Sequence, residues 1–316
     1  MRLLSLDVFR AISIILMVIA NVGFLGEHQE PHISLVDLVF PFFLFCVGFA
    51  IPYSHKTVKR KVLRVVVLFA IGIFLNGFPL FDLSTIRIMS VLQRIALVYL
   101  ICAVFIVRLS RFHKKIVLLA LLIIYGAILI VDSGIVSRID LFLLQGHTYN
   151  AAGDPEGLLS TVGAICSAMV GQIIGETSIS TSIKPRSKQS TKLLLLGISF
   201  ILIGLFLGFL SPVRIPINKD LWSTSYVLYT SGFAVFAFLI LHFLFDVDNV
   251  ATNEFKRKLV TIGKILGCLG ANAILFYVVS AFIYHLSVLN QSIIYVILYL
   301  ALWIAICNLT KIRVRL

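Results

Sequence analysis

Along most of this chain apolar residues run on for many positions before polar residues break in. Runs of about 20 apolar residues are long enough to cross a bilayer as α-helices. Ten can be marked: 7–26, 35–54, 62–79, 88–107, 115–132, 158–176, 192–210, 224–245, 263–284 and 291–309. The pattern predicts an all-α fold, a polytopic membrane bundle of about ten transmembrane helices, with residues 1–316 forming a single transmembrane domain. No internal repeat or low-complexity linker divides it, and a basic, Ser-rich loop lies near 178–191. The first apolar run, from Val8, is not read as a secretory signal. It follows Asp7, contains Arg10, is long for such a segment and has no small-residue cleavage site after it.

Composition strengthens the membrane assignment. The 316 residues are 60% hydrophobic and 13% charged, whereas soluble domains carry about 25% charged residues. Mean hydropathy is +1.06. Cys46, Cys102, Cys166, Cys268 and Cys307 all lie in apolar runs without metal-ligand spacing. They read as small buried hydrophobes rather than disulfide partners or zinc ligands.

Charge supplies the orientation. The connections HKTVKRK, RLSRFHKK, SIKPRSKQSTK, NEFKRK and KIRVRL, with Arg2, Arg10, Arg64 and Lys264, put 22 of the 27 basic residues on one side. Arg87, Arg94, Arg138, Arg214 and Lys219 remain for the other side, which holds nine of the fourteen acids. The positive-inside rule makes the basic side cytoplasmic, with both termini there. The net charge of +13 then reflects topology and contact with anionic lipid, and no nucleic-acid partner is expected. A basic cytoplasmic face also suits a phosphate-bearing cofactor.

Several polar residues stand out against this background. Arg94 lies inside the fourth run, where a charge is costly, and Asp37 opens the second run at a similar depth. An Asp37–Arg94 ion pair is expected, as a structural clamp or as a pair orienting a reacting group. Asp7 and Arg10, spaced i,i+3, suit a local pair; the rival reading turns Arg10 toward a cytosolic cofactor. Asn21 closes the first run and Asn272 lies within the ninth, where asparagine serves as helix–helix glue or lines a cavity. The outer segment GEHQEPH brings His28 and His32 beside acids, and a neutral imidazole is a general base or a nucleophile near pH 7. Pro31 argues against the regular helix on which the two histidines would share a metal, so no metal site is expected. In DPEGLLSTVGAI, Asp154 and Pro155 suit a helix start, and Glu156 suits its positive end and is also a candidate to bind hydroxyls or an amine. PINKDLWSTSYVL places Asn218, Lys219 and Trp222 at another outer helix start, where Trp222 also suits an interfacial belt. No P-loop, dinucleotide glycine fingerprint or G-x-S-x-G elbow is present.

Taken together, SLDVFRAISIILMVIAN, DLVFPFFLFCVGFAIPYS, IRIMSVLQRIALVYL, DPEGLLSTVGAI, INKDLWSTSYVLY and GANAILFY resemble, in order, the bacterial relatives of heparan-α-glucosaminide N-acetyltransferase. The resemblance implies a multi-pass acyltransferase of the bacterial inner membrane. Acetyl-CoA would be the acyl donor, entering from the cytoplasm with its phosphates near Arg10 or the basic loops, with Arg64 and Gln93 as further contacts. The acceptor would be the amine of an amino sugar or glycan end at the outer face. The family's catalytic histidine falls just before the D-L-V-F-P motif, Asp37 to Pro41, and His28 is its best match. The family's upstream asparagine matches Asn21. The usual H-x-x-W-x-G pattern and one further residue before the aspartate are missing from HQEPHISLVD, which keeps His32 as a rival. S-V-L-Q-R retains Gln93 and Arg94, and a histidine of animal members falls at Ser280. His28 then takes the amine proton or is itself acetylated, Asn21 donates to the oxyanion, and Asp37 and Arg94 position the site. His32, Glu156, Asn218, Lys219, Trp222 and Asn272 are the expected substrate contacts. The alternative is a transporter for an amino sugar or N-acetylamino sugar. A homodimer is among the expected arrangements.

Overall fold

The computed structural model describes residues 3–21, 34–180, 187–212, 215–246, 254–285 and 293–310. Its helices are α1 (Leu4–Asn21), α2 (Leu35–Ala50), α3 (Val58–Gly77), α4 (Val91–Leu100), α5 (Arg111–Asp132), α6 (Ile135–Leu144), α7 (Thr161–Ser180), α8 (Lys188–Leu205), α9 (Thr224–Phe245), α10 (Glu254–Ala271), α11 (Ala273–His285) and α12 (Ile293–Thr310). Among the described residues the only β pairing is an isolated bridge between Asn150 and Gly153, so the all-α reading holds. Among the described residues six helices are long and apolar enough to cross a membrane, or seven if the bent pair α10–α11 counts as one span. Within the described residues, each of the ten apolar runs is largely helical. Among the remaining helices, α3 carries Lys59, Arg60, Lys61 and Arg64 in its first turns.

Two features depart from the sequence expectation. The run at 263–284 is not one helix: α10 and α11 meet at a 67° bend around Asn272. The Asn272 side chain donates to the Cys268 carbonyl at 3.1 Å, an acceptor in the last turn of α10. Asparagine competes with the helical ladder in this way. The outer segment 133–157 also contains a helix, α6, whose buried positions Val136, Asp140 and Leu144 repeat every four residues.

The chain forms two compact units. The first comprises Met1–Cys46, Ile183–Leu195 and Phe233–Leu316. Here α1 packs on α10 through small residues. A side-chain carbon at Gly270 would fall 1.7 Å from the Asp7 carbonyl oxygen, so only glycine permits this approach. Asp246, at the end of α9, accepts from the backbone amides of Leu4 and Ser5 at 2.8 and 3.3 Å. A carboxylate there satisfies orphan donors and complements the positive end of α1. The local Asp7–Arg10 pair is present at 3.7 Å.

The second unit comprises Val47–Ser182 and Leu196–Gly232. Helix α4 continues as a π-helical turn over Ile101–Phe105. Such a turn disturbs the helical ladder, and the Lys61 ammonium donates to the Ala103 carbonyl within it at 2.9 Å. On the cytoplasmic side expected from the charge pattern, buried Lys114 pairs with Glu176. Gln172 on α7 is fully buried, and neither amide atom has a partner among the described residues. An unpaired buried amide costs about 1–3 kcal/mol. Gln172→Met should therefore raise stability by about 1 kcal/mol, measured as the thermal or denaturant midpoint in detergent.

Candidate active site

In the second unit the sequence motifs converge on one guanidinium. Ser90 precedes α4, and one turn later Arg94 is fully buried. Its Nη2 donates to the carbonyls of Pro155 and Gly157 at 2.8 and 3.4 Å and to the Ser160 hydroxyl. The same guanidinium lies 4.9 Å from the centre of the Trp222 ring. Arg94 thus ties the DPEGLLS loop to the INKDLWS loop. Its donor fork suits divergent carbonyl acceptors, and its charge is offset by the ring face.

Trp222 is 1% exposed, so it is not the interfacial belt residue considered from sequence. Its indole N–H donates to Ser167 at 3.1 Å, and its ring meets Tyr226 edge-on. Its backbone adopts a φ of +47°, a conformation uncommon outside glycine that clusters at functional and strained positions. Asn218 organises the same loop: its side chain accepts from the Leu221 amide at 2.8 Å, and its backbone N–H donates to Ser223 at 3.2 Å. Lys219 is half-buried and its carbonyl accepts from the Trp222 amide.

On the other side of Arg94, Asp154 and Glu156 converge on Arg87. Arg87 donates to both Asp154 oxygens and to Glu156, and its guanidinium lies 4.8 Å from the Tyr149 ring centre. Burial opposes the Arg87 charge, but the Asp154 hydrogen bonds and the Glu156 charge outweigh it and raise its pKa above the usual arginine range. Asp154 does not cap a helix as expected. It accepts from the Glu156 amide at 2.9 Å, and α7 begins only at Thr161. The reason is competition: Arg87 and the Tyr149 amide also take its oxygens, which fixes the segment as a turn.

Asp140 on α6 supports this turn from beneath. Its Oδ1 accepts from the Leu158 amide at 2.8 Å, and a side-chain carbon at Gly157 would fall 1.7 Å from Oδ2. Burial pushes the Asp140 carboxyl above the usual carboxylate range, partly countered by that amide. A carboxyl whose folded pKa is raised costs stability as pH rises from its unfolded value through its folded one. Asp140→Asn keeps the acceptor and removes the charge. The variant should gain on the parent as pH climbs from about 4, read as the difference in melting temperature.

Sequence reading identified Arg94, Glu156, Asn218 and Trp222, and the structure brings Arg94 and Trp222 together with the turn that carries Glu156. It missed Arg87, Asp140 and Tyr149. The available signals were Arg87 as a rare cation on the acid-rich side and the four-residue spacing of Val136, Asp140 and Leu144. Gln93 turns elsewhere: it lies against Gly72 of α3 and accepts from Ser90. Arg64 stacks over Tyr99 at 4.7 Å along the α3–α4 seam.

In the first unit, Asp37 is buried and accepts from the Ser34 amide and hydroxyl at 2.9 and 3.1 Å. This is the reach-back half of a capping box that starts α2. Arg10 donates to the Cys46 carbonyl at 3.3 Å. Asn21 ends α1, and its side chain is outside the described residues, as are His28 and His32. The expected Asp37–Arg94 pair involves residues of different units.

No family model matches the chain. Over 79% of its length the chain is 27% identical to heparan-α-glucosaminide N-acetyltransferase of Mus musculus and 28% identical to that of Homo sapiens. The chain is therefore similar to these two enzymes. It spans about half the length of these relatives. With its apolar helices, the likeness places it among multi-pass membrane proteins. Among the described residues no group of three or more His, Cys, Asp or Glu could hold a metal ion.

Proposed function

We propose that this chain is a transmembrane N-acetyltransferase of the bacterial inner membrane, transferring acetyl from cytosolic acetyl-CoA to the amine of an amino sugar at the outer face. The single observation that carries the reading is the likeness to two N-acetyltransferases over 79% of the chain. The charge pattern supports ten spans with both termini cytoplasmic, and residues 1–316 then act as one acyltransferase domain. Lys61, Arg64, Arg111 and Lys114 supply cationic character on the donor's side. Arg64 and Arg10 are the side chains assigned to its phosphates, with Gln93 a polar contact for its arm.

In this reading the amine lone pair forms the new C–N bond at the thioester carbonyl. His28 accepts the amine proton, the C–S bond breaks, and His28 returns that proton to the departing thiolate, so coenzyme A leaves as its thiol. Asn21 donates to the developing oxyanion. Arg94 holds the loop that carries Glu156, whose carboxylate faces the cationic amine before deprotonation; Asn218, Lys219 and Trp222 shape the adjoining loop. Asp37 fixes the start of α2 directly after the histidine-bearing segment. The test is release of free thiol from acetyl-CoA by purified protein across a panel of amino sugars. Amine-dependent release supports the reading, and its absence with every amine rejects it.

One observation favours a second reading. The break at Asn272 between α10 and α11 is of the kind that lines substrate paths in transporters. Uptake of labelled amino sugar into proteoliposomes lacking acetyl-CoA would select transport.

A further inference from the structure

Within the second unit, α5, α7, α8 and α9 leave a groove of about 710 Å³ between them. Its wall is almost wholly aliphatic and aromatic, with Leu119, Ile123 and Ile130 on α5, Ile174 on α7 and Phe200 on α8. Ile123 is 62% exposed and Leu119 59% exposed. The lining on α5 runs from Lys115 to Ile130, a rise of about 22 Å at about 1.5 Å per residue. That exceeds half of the roughly 30 Å hydrocarbon core, so a chain entering at Lys115 passes the midplane.

The two ends differ. Lys115 is the only charged residue in the lining, is exposed, and makes no ion pair among the described residues. It belongs to the RFHKK run, where Glu176 is already taken by Lys114 and Arg111. A net positive mouth on a long apolar groove matches one amphiphile: an anionic head group with a hydrocarbon tail. The far end reaches Ile215 and Thr224, which flank the segment carrying Trp222. Thr224 also ties α9 to α5 by donating to the Leu122 carbonyl at 3.0 Å.

We propose that this groove binds one acyl chain of an anionic glycerophospholipid, with the head-group phosphate at Lys115, and that the bound chain braces the segment around Trp222. The ligand is a bilayer lipid, not the acetyl acceptor, and the inference does not depend on the acetyltransferase reading. A tail filling the groove replaces contacts that an empty apolar space would forfeit, and binding to the folded state alone raises its stability.

The test compares the full-length chain with Ile123→Trp, which fills the groove from an exposed position, and Lys115→Glu, which reverses the charge at its mouth. Each is purified in detergent, supplied with equal amounts of phosphatidylglycerol and phosphatidylcholine, and examined by native mass spectrometry and thermal denaturation. The parent should retain phosphatidylglycerol at least about fivefold over phosphatidylcholine and melt higher with it. Lys115→Glu should lose that preference while still holding lipid, and Ile123→Trp should hold neither and show no lipid-dependent shift. The inference is overturned if the parent retains no lipid, if it holds both lipids equally, or if Ile123→Trp retains lipid like the parent. An Ile123→Trp protein that fails to fold leaves Leu119→Trp to fill the same groove, with the same outcomes deciding.

Discussion

Arg94→Lys should lower acetyl transfer by roughly 10²-fold or more and destabilise the protein by about 3 kcal/mol. Lysine keeps the charge, so a role for charge alone predicts a mild effect. The geometry predicts a severe one. The Arg94 guanidinium serves the carbonyls of Pro155 and Gly157 and the Ser160 hydroxyl while lying on the Trp222 ring. A single ammonium cannot occupy that divergent set and stack as a plane. At least one buried acceptor loses its partner, and each charged hydrogen bond carries about 1.5–3 kcal/mol. The turn carrying Glu156 and the loop carrying Trp222 then lose their shared anchor. Melting temperature and kcat/KM for amine acetylation, measured on one preparation, check both halves. Arg94→Lys protein with parental stability would show that the fork is not what holds the two loops.

His28→Ala should abolish detectable transfer, a loss of about 10²–10⁴-fold for a general base, while His32→Ala leaves most of the rate. His28 is the residue that the resemblance assigns to proton transfer. The parental rate should rise with pH, because the base must be neutral to accept the amine proton. His28→Ala should lack this rise, and added imidazole should restore part of the rate. Radiolabelled acetyl retained on parental protein but not on His28→Ala, before acceptor is added, would select the acetyl-histidine route. The reverse ranking of the two alanine variants would move the reactive role to His32.

The helices were legible because long apolar runs leave few alternatives to α-helix within a membrane. The bend at Asn272 was not legible, because a lone asparagine inside an apolar run looks the same whether it bonds across helices or back to Cys268. Nor was α6, since Ser137, Arg138 and Asp140 made its segment read as loop. At the candidate site, Arg94 announced itself by being charged where charge is costly. Its partners did not, because three of them are carbonyl or hydroxyl groups of a turn that any sequence could supply. Trp222 shows the same limit: an outer tryptophan suits an interfacial belt, and only packing reveals that its ring lies under a guanidinium. Arg87 was passed over as one of five outer cations, although its junction with Asp154 and Glu156 organises the turn.

Acetyl transfer is decided by amine-dependent thiol release from acetyl-CoA by the purified chain. Thiol release that appears only with an amino sugar, with N-acetylated sugar formed in equal amount, is the predicted result. Amino-sugar uptake into proteoliposomes lacking acetyl-CoA, with no thiol released in its presence, would contradict it.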